Sequence, residues 1–263
     1  MSLPSAFAFP SFSRIPCAFR PPPLPPQKMD PWHYKPATDT GLSTVERWKS
    51  ERREPGLIST LAHTASNLAL RTYFRLYHRL HIQGVEHIPT STPFVMVANH
   101  ASHLDALVIA ACLPRRVTGS VFPIAAGDVF FETTVVSAFA ATLINALPMW
   151  RKRVGRHALD DLKARLHSGD CGFILFPEGA RTRDGLPLKW KAGIGMMVAG
   201  TSIPVVPCRI DGCLQALHPD AKLPSPTRIC VTITAPMLFA HQPDSREGWD
   251  AIADALRVRV VGS

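Results

Sequence analysis

Apolar and polar positions along this chain fall into two kinds of block. Short apolar runs, rich in Val and Ile and bounded by Pro, Gly or Asn, read as buried strands. They lie at 93–98 (PFVMVA), 118–125, 143–149, 171–176, 204–210 and 227–234. Between them, stretches with apolar residues at helical spacing predict helices over 104–113, 129–140, 156–168, 191–201 and 246–259. In RHALDDLKARLHSG, for example, Leu159, Leu162 and Leu166 share one face and Gly169 supplies a stop. Strands that alternate with helices predict an α/β fold: a single domain with a mixed, mostly parallel sheet flanked by helices.

Two segments precede this alternation. Residues 1–40 hold ten prolines, with PPPLPP at 21–26, and no acidic residue before Asp30. Such a composition builds no packed core and predicts a disordered tail. A start placed too early, with Met29 as the true beginning, remains open, as does an organellar transit peptide, although the prolines interrupt any amphipathic helix. Residues 41–83 are expected to form an N-terminal amphipathic helical segment, with Leu57, Leu61, Leu68 and Leu70 at helical spacing. The segment then turns basic and aromatic through Arg71, Tyr73, Phe74, Arg75, Tyr77 and Arg79. That pattern suits the interface of an anionic membrane. It suits packing on a catalytic domain equally well, and two faces of one helix can do both. The catalytic domain is expected over 84–263.

With 263 residues and 46% apolar composition, the chain is long enough for a real core. Its net charge of +9 favours an anionic partner, either phosphate-bearing lipid at a membrane surface or nucleic acid. Nucleic-acid binders carry a basic stripe with interleaved aromatics. Here only 71–79 offers one, outside the chemistry-bearing motifs, so no nucleic acid is expected. The six cysteines are scattered through apolar runs without CxxC or zinc spacing, and read as reduced core residues. No twenty-residue apolar run occurs; the longest uncharged stretch, 133–150, is broken by Thr, Ser, Asn and Pro and predicts a buried helix followed by a strand.

Two motifs sit just past predicted strands, at the edge where open α/β sheets build their sites. In VANHASHLDA, His100 and Asp105 offer a general base and a carboxylate to orient it. In ILFPEGAR, Glu178 and Arg181 offer an acid and a guanidinium suited to an anionic substrate. His103 is a second candidate base. A metal-dependent hydrolase built on His100, His103, Asp105 and Glu178 is a rival reading, but the HxHxDH spacing of such enzymes fails at Ala101 and Ala106, so no metal is expected. A nonenzymatic basic module binding lipid or nucleic acid is the other rival.

Four blocks in order give the chain a resemblance to the glycerolipid acyltransferase family: NHASHLD, NALPMWR at 145–151, FPEGARTRDG with WKAG at 190–193, and IPVVP at 203–207. The resemblance spans roughly 80–240 and is strongest to the 1-acylglycerol-3-phosphate acyltransferases. It implies transfer of a fatty acyl group from a thioester, acyl-CoA or acyl carrier protein, to the hydroxyl of a lysophospholipid acceptor, 1-acylglycerol-3-phosphate, giving phosphatidate in phospholipid biosynthesis. No cofactor is implied, and the enzyme is expected as a peripheral protein on the cytoplasmic face of a membrane rich in anionic lipid. His100 and Asp105 are then the catalytic pair, with Arg151, Arg181 and Lys191 on the acceptor phosphate. Glu178 would orient these groups or the acceptor hydroxyl, and Gly179 would let the backbone approach closely. Ala180, Arg183 and Trp190 depart from the family pattern beside the phosphate site, which keeps other acceptors open: another lysophospholipid, glycerol 3-phosphate or a nonphosphorylated lipid.

Overall fold

The computed structural model describes residues 41–43, 46, 50, 57–126, 146–149, 157–182, 184–221 and 223–262. The proline-rich tail and the helix expected over 129–140 lie outside these residues. Seven strands form one sheet: β1 (His81–Gln83), β2 (Val95–Ala98), β3 (Val121–Ala126), β4 (Leu147–Met149), β5 (Gly172–Leu175), β6 (Val205–Asp211) and β7 (Cys230–Ile233). Their spatial order is β1-β7-β6-β2-β5-β3-β4. All pairings are parallel except β6 with β7.

β2 is central, and its four residues are all fully buried. Because successive strand side chains point to opposite faces, Met96 and Ala98 enter one core while Val95 and Val97 enter the other. The first core is roofed by α1 (Leu57–Tyr77), α2 (Leu104–Cys112) and α5 (Cys213–Ala216). The second is roofed by α3 (His157–His167), α4 (Gly193–Val198) and α6 (Arg246–Val261). A sheet covered on both faces explains why its strands read as continuous apolar runs.

Several helix ends follow directly from local chemistry. In α3, Leu162 and Leu166 are buried, and Gly169 turns the chain at φ 87°. α6 begins with Ser245, whose hydroxyl accepts from the Gly248 N–H at 3.3 Å, and Arg246 pairs with Asp250 one turn on.

The N-terminal segment differs from its sequence reading in two respects. The helix stops at Tyr77, Arg79 adopts a left-handed φ of 47°, and His81–Gln83 form a seventh strand pairing with β7. The leucines of α1 also do not share one side: Leu68 is 56% exposed, whereas Leu70 packs against the core with buried Asn67 and Phe74. Asn67 is paid for there by a hydrogen bond from its Nδ2 to the Ala110 carbonyl at 3.0 Å. α1 therefore packs on α2, leaving Leu68, Arg75, Leu76 and Tyr77 on its outer side. No helix among the described residues is long and apolar enough to cross a membrane.

The stretch AGIGMMVAG holds α4 close against α6. A Cβ added at Gly195 would lie 2.3 Å from the Trp249 Cα and 2.5 Å from its carbonyl oxygen, and helix backbone cannot yield cheaply. Gly195→Ala is expected to destabilise the fold by about 1–3 kcal/mol, read as a lower midpoint in urea denaturation. An unchanged midpoint would mean that α4 and α6 are not in this contact.

Candidate active site

Parallel pairing places Val97 opposite Leu175, so the two motif loops leave the sheet side by side at its carboxyl edge. From β2 the chain departs through α2 toward β3; from the adjacent β5 it departs toward β6, on the other side of β2. Neighbouring strands whose connections leave in opposite directions open a crevice at their carboxyl ends. Asn99 fixes the β2 end of it: its Nδ2 donates to the Ile210 carbonyl at 2.9 Å and its Oδ1 accepts the Ile210 N–H at 2.8 Å.

His100 follows, 20% exposed, with Nδ1 2.9 Å from Asp105 Oδ2. The same carboxylate oxygen accepts the backbone N–H groups of Ala101 at 2.7 Å and Ser102 at 2.8 Å. Asp105 therefore both folds the loop that leads into α2 and orients the imidazole. Its position in the first turn of that helix, only 1% exposed, lets it reach back to His100. With Nδ1–H donating to a carboxylate, Nε2 is the basic nitrogen of the ring. Phe176 lies against the imidazole, centroids 4.3 Å apart and planes inclined by 24°.

The second loop is stitched to the first. Glu178, 3% exposed, accepts the His100 N–H on Oε1 at 3.0 Å, and Thr182 N–H donates to the His100 carbonyl at 3.0 Å. Glu178 Oε2 has no hydrogen-bond partner among the described residues. Burial pushes the Glu178 pKa up, against the opposing pull of the His100 and Leu188 backbone. Gly179 turns at φ 69°, and Lys191 lies across it so closely that a Cβ would come within 2.4 Å of Nζ. Lys191 N–H donates to the Pro177 carbonyl at 2.9 Å, closing the loop.

Arg181 is half-buried and forms no hydrogen bond or ion pair with described residues. Its charge reaches His103: desolvation first, then Arg181, push the His103 pKa down, while Asp105 pulls the other way. His103 itself stands at the entry to α2, on the exposed side, and Asp105 bonds to His100 rather than to it. A cavity of about 150 Å³ adjoins His100 and Glu178, walled by Thr182 and by the end of β6 at Arg209 and Asp211. Arg181 and Lys191 lie outside its lining, and Arg151 lies outside the described residues.

The structure thus brings His100, Asp105, Glu178 and Gly179 together, with Arg181 and Lys191 beside them. Asn99, Phe176 and Thr182 also hold the site, and the motifs contained them without revealing their roles. Asn99 binds backbone from a strand more than a hundred residues later, which spacing cannot display. Cysteine chemistry is ill suited to this site: burial pushes the Cys112 thiol up to about 12 and holds Cys208 and Cys213 well above the ordinary thiol value. Among the described residues no three His, Cys, Asp or Glu side chains gather in a metal-holding arrangement.

Comparison with known proteins agrees with this geometry. The family model described as Acyltransferase matches residues 79–211, the span that holds both loops. The human 1-acyl-sn-glycerol-3-phosphate acyltransferase alpha is 30% identical over 131 residues, 49% of this chain and 44% of that protein. A chloroplastic 1-acyl-sn-glycerol-3-phosphate acyltransferase from Brassica napus is 30% identical over 139 residues, 52% of this chain and 38% of that protein. The chain thus matches less than half the length of these curated relatives. The crystal structure of the 1-acyl-sn-glycerophosphate acyltransferase PlsC from Thermotoga maritima superposes with a TM-score of 0.59 at 24% identity, covering 77% of each chain, which shows a shared fold. The family model spans half of the sequence and encloses the His100 and Glu178 loops, so the chain belongs to the Acyltransferase family.

Proposed function

We propose that the chain transfers a fatty acyl group from a thioester to the free hydroxyl of 1-acylglycerol-3-phosphate, forming phosphatidate. The observation that carries this reading is the His100–Asp105 pair at the sheet's carboxyl edge, an imidazole whose Nδ1 is held at 2.9 Å and whose Nε2 is left to act. The acceptor oxygen attacks the thioester carbonyl as its proton passes to Nε2. The C–S bond then breaks, and the proton passes on to the departing thiolate. Asp105 stabilises the imidazolium formed between the two transfers. No covalent enzyme intermediate is needed.

Arg181 and Lys191 stand beside the site, whereas Arg209 in the cavity wall is paired with Asp211; the first two, with Arg151, are assigned to the acceptor phosphate, since guanidinium and phosphate pair through parallel hydrogen bonds. Glu178 is assigned a bracing role: one oxygen already holds the His100 backbone, so it sets where the base stands. Gly179 supplies the left-handed turn that lets Lys191 cross the loop. The donor is acyl-CoA or an acyl carrier protein. The outer face of α1, with Leu68, Leu76 and Tyr77 beside Arg75, is assigned to a membrane surface on its cytoplasmic side. Names of the relatives favour the lysophosphatidate acceptor over other lysophospholipids.

The reading is tested by following free thiol release from acyl-CoA and from acyl carrier protein with lysophosphatidate, glycerol 3-phosphate or a neutral lysolipid offered in turn. Lysophosphatidate-dependent release is expected; absence of release with every donor and acceptor would overturn acyl transfer. His100→Ala is expected to lower kcat by roughly 10²–10⁴-fold, the usual worth of a positioned base, without loss of the folded circular dichroism signal. Arg181→Ala is expected chiefly to raise the acceptor KM, and an unchanged acceptor dependence would remove it from the phosphate site.

Glu178 gives a separate, pH-linked outcome. A carboxyl whose pKa is raised by folding favours the folded state below its unfolded value, ordinarily 4.5, and loses that contribution as pH rises through the folded value. Glu178→Gln keeps an acceptor for the His100 N–H and removes the titration. The stability of the Gln variant relative to wild type is therefore expected to increase as pH rises from about 4.5, in denaturation curves at successive pH values. A difference that is flat or falling over that range would contradict the burial effect.

A further inference from the structure

At the far end of α2 from Asp105, the edge strand β1 and helix α1 enclose a second cavity of about 520 Å³. That is well within the roughly 300–1,000 Å³ typical of small-molecule sites. Eight residues of α2 and its cap separate Asp105 from Leu113, about 12 Å at 1.5 Å per residue, so this cavity is not part of the His100 crevice. Its floor is apolar, made by Leu80, Ile82, Val85 and Leu113.

Its wall is cationic. Arg71 and Arg75 stand one turn apart on α1, and His81 opens β1 beside them. Arg71 is anchored through Nη2 to the Leu113 carbonyl, while its Nε is buried without a partner. Arg71 is half-buried, and burial together with the charge of the exposed Arg115 nearby pushes its pKa down. Among the described residues no carboxylate pairs with Arg71, Arg75 or Arg115. Guanidiniums gathered without a counter-charge over an apolar floor match an anion attached to a hydrocarbon portion, and the paired donors of arginine favour phosphate.

We propose that this cavity binds the phosphate of an amphiphilic phosphate ester, with Arg71 and Arg75 on the phosphoryl oxygens and the adjoining alkyl portion on Leu80, Ile82 and Leu113. The site is separate from the catalytic crevice, and its occupant ties α1 to β1 and to the end of α2. The same chemistry is offered by a phosphate ester dissolved as a monomer and by the headgroup of a phospholipid in a bilayer.

The two sources are separated by two binding experiments on the full chain, neither of which depends on acyl transfer. Dihexanoyl phosphatidate is titrated calorimetrically, and vesicles of phosphatidylcholine with and without phosphatidate are sedimented with the protein. Wild type is compared with the double variant Arg75→Gln, Arg115→Gln and with Val85→Trp, which fills the cavity from a 43% exposed position and leaves the arginines intact. If the occupant is a monomer, both variants lose one class of phosphatidate sites, weakened at least about tenfold. If it is a bilayer headgroup, both lose the phosphatidate-dependent part of sedimentation while the titration is unchanged. In either case Val85→Trp retains kcat. Variants that match wild type in both experiments would overturn the proposal, as would loss in the charge variant alone, which would indicate a diffuse surface attraction and no cavity site.

Discussion

The pairing of β2 with β5 is the constraint on which this site rests. Their parallel register sets Val97 opposite Leu175, and the chain needs only a few residues past that point to place His100 over Phe176. Two motifs far apart in sequence are thereby brought within one ring-stacking distance, and backbone bonds from His100 to Glu178 and Thr182 then lock the loops. The catalytic geometry is inherited from strand order. Any change that shifted the register by one residue would exchange the β2 side chains between the two cores and displace the loop that carries the imidazole.

Two buried acids share this small region, and their surroundings divide their roles. Three donors converge on one oxygen of Asp105: an imidazole and two backbone amides. Glu178 has one hydrogen-bond donor on one oxygen and burial raises its pKa, while each acid leaves its other oxygen without a hydrogen-bond partner among the described residues. Asp105 holds the imidazole and the loop backbone, and Glu178 holds the His100 backbone N–H from the other loop.

Much of this was legible in the sequence because the fold covers the sheet on both faces. Strands so buried read as continuous apolar runs, and six of the seven were visible that way. The seventh, His81–Gln83, is three residues long at the sheet's edge, after a helix whose apolar spacing in the sequence runs on into it; only the left-handed turn at Arg79 separates the two. On α1 the leucine spacing alone does not mark the packed side, because Leu70 lies on it and Leu68 on the outer side. The packed side is built on Phe74 and on Asn67, a polar residue whose burial depends on a carbonyl in α2 that local pattern cannot supply. Likewise the pair His100 and Asp105 could be read from spacing within one loop, but the clamp from Asn99 to Ile210 joins two strands through tertiary structure alone.

α2 shows why the helix before the catalytic domain is structurally part of it. This nine-residue helix is apolar and nearly all buried, so the polar backbone groups at both its ends need partners that water does not provide. At the amino end Asp105 gathers the amides of the incoming loop, and in doing so orients His100. At the carboxyl end the partners come from α1: Asn67 on the Ala110 carbonyl and Arg71 on the Leu113 carbonyl. An acid at the start and a guanidinium at the finish also match the helix dipole. One short helix therefore couples the base's orientation to the docking of α1. The sequence boundary near residue 84 divides a unit that the hydrogen bonds of α2 hold together.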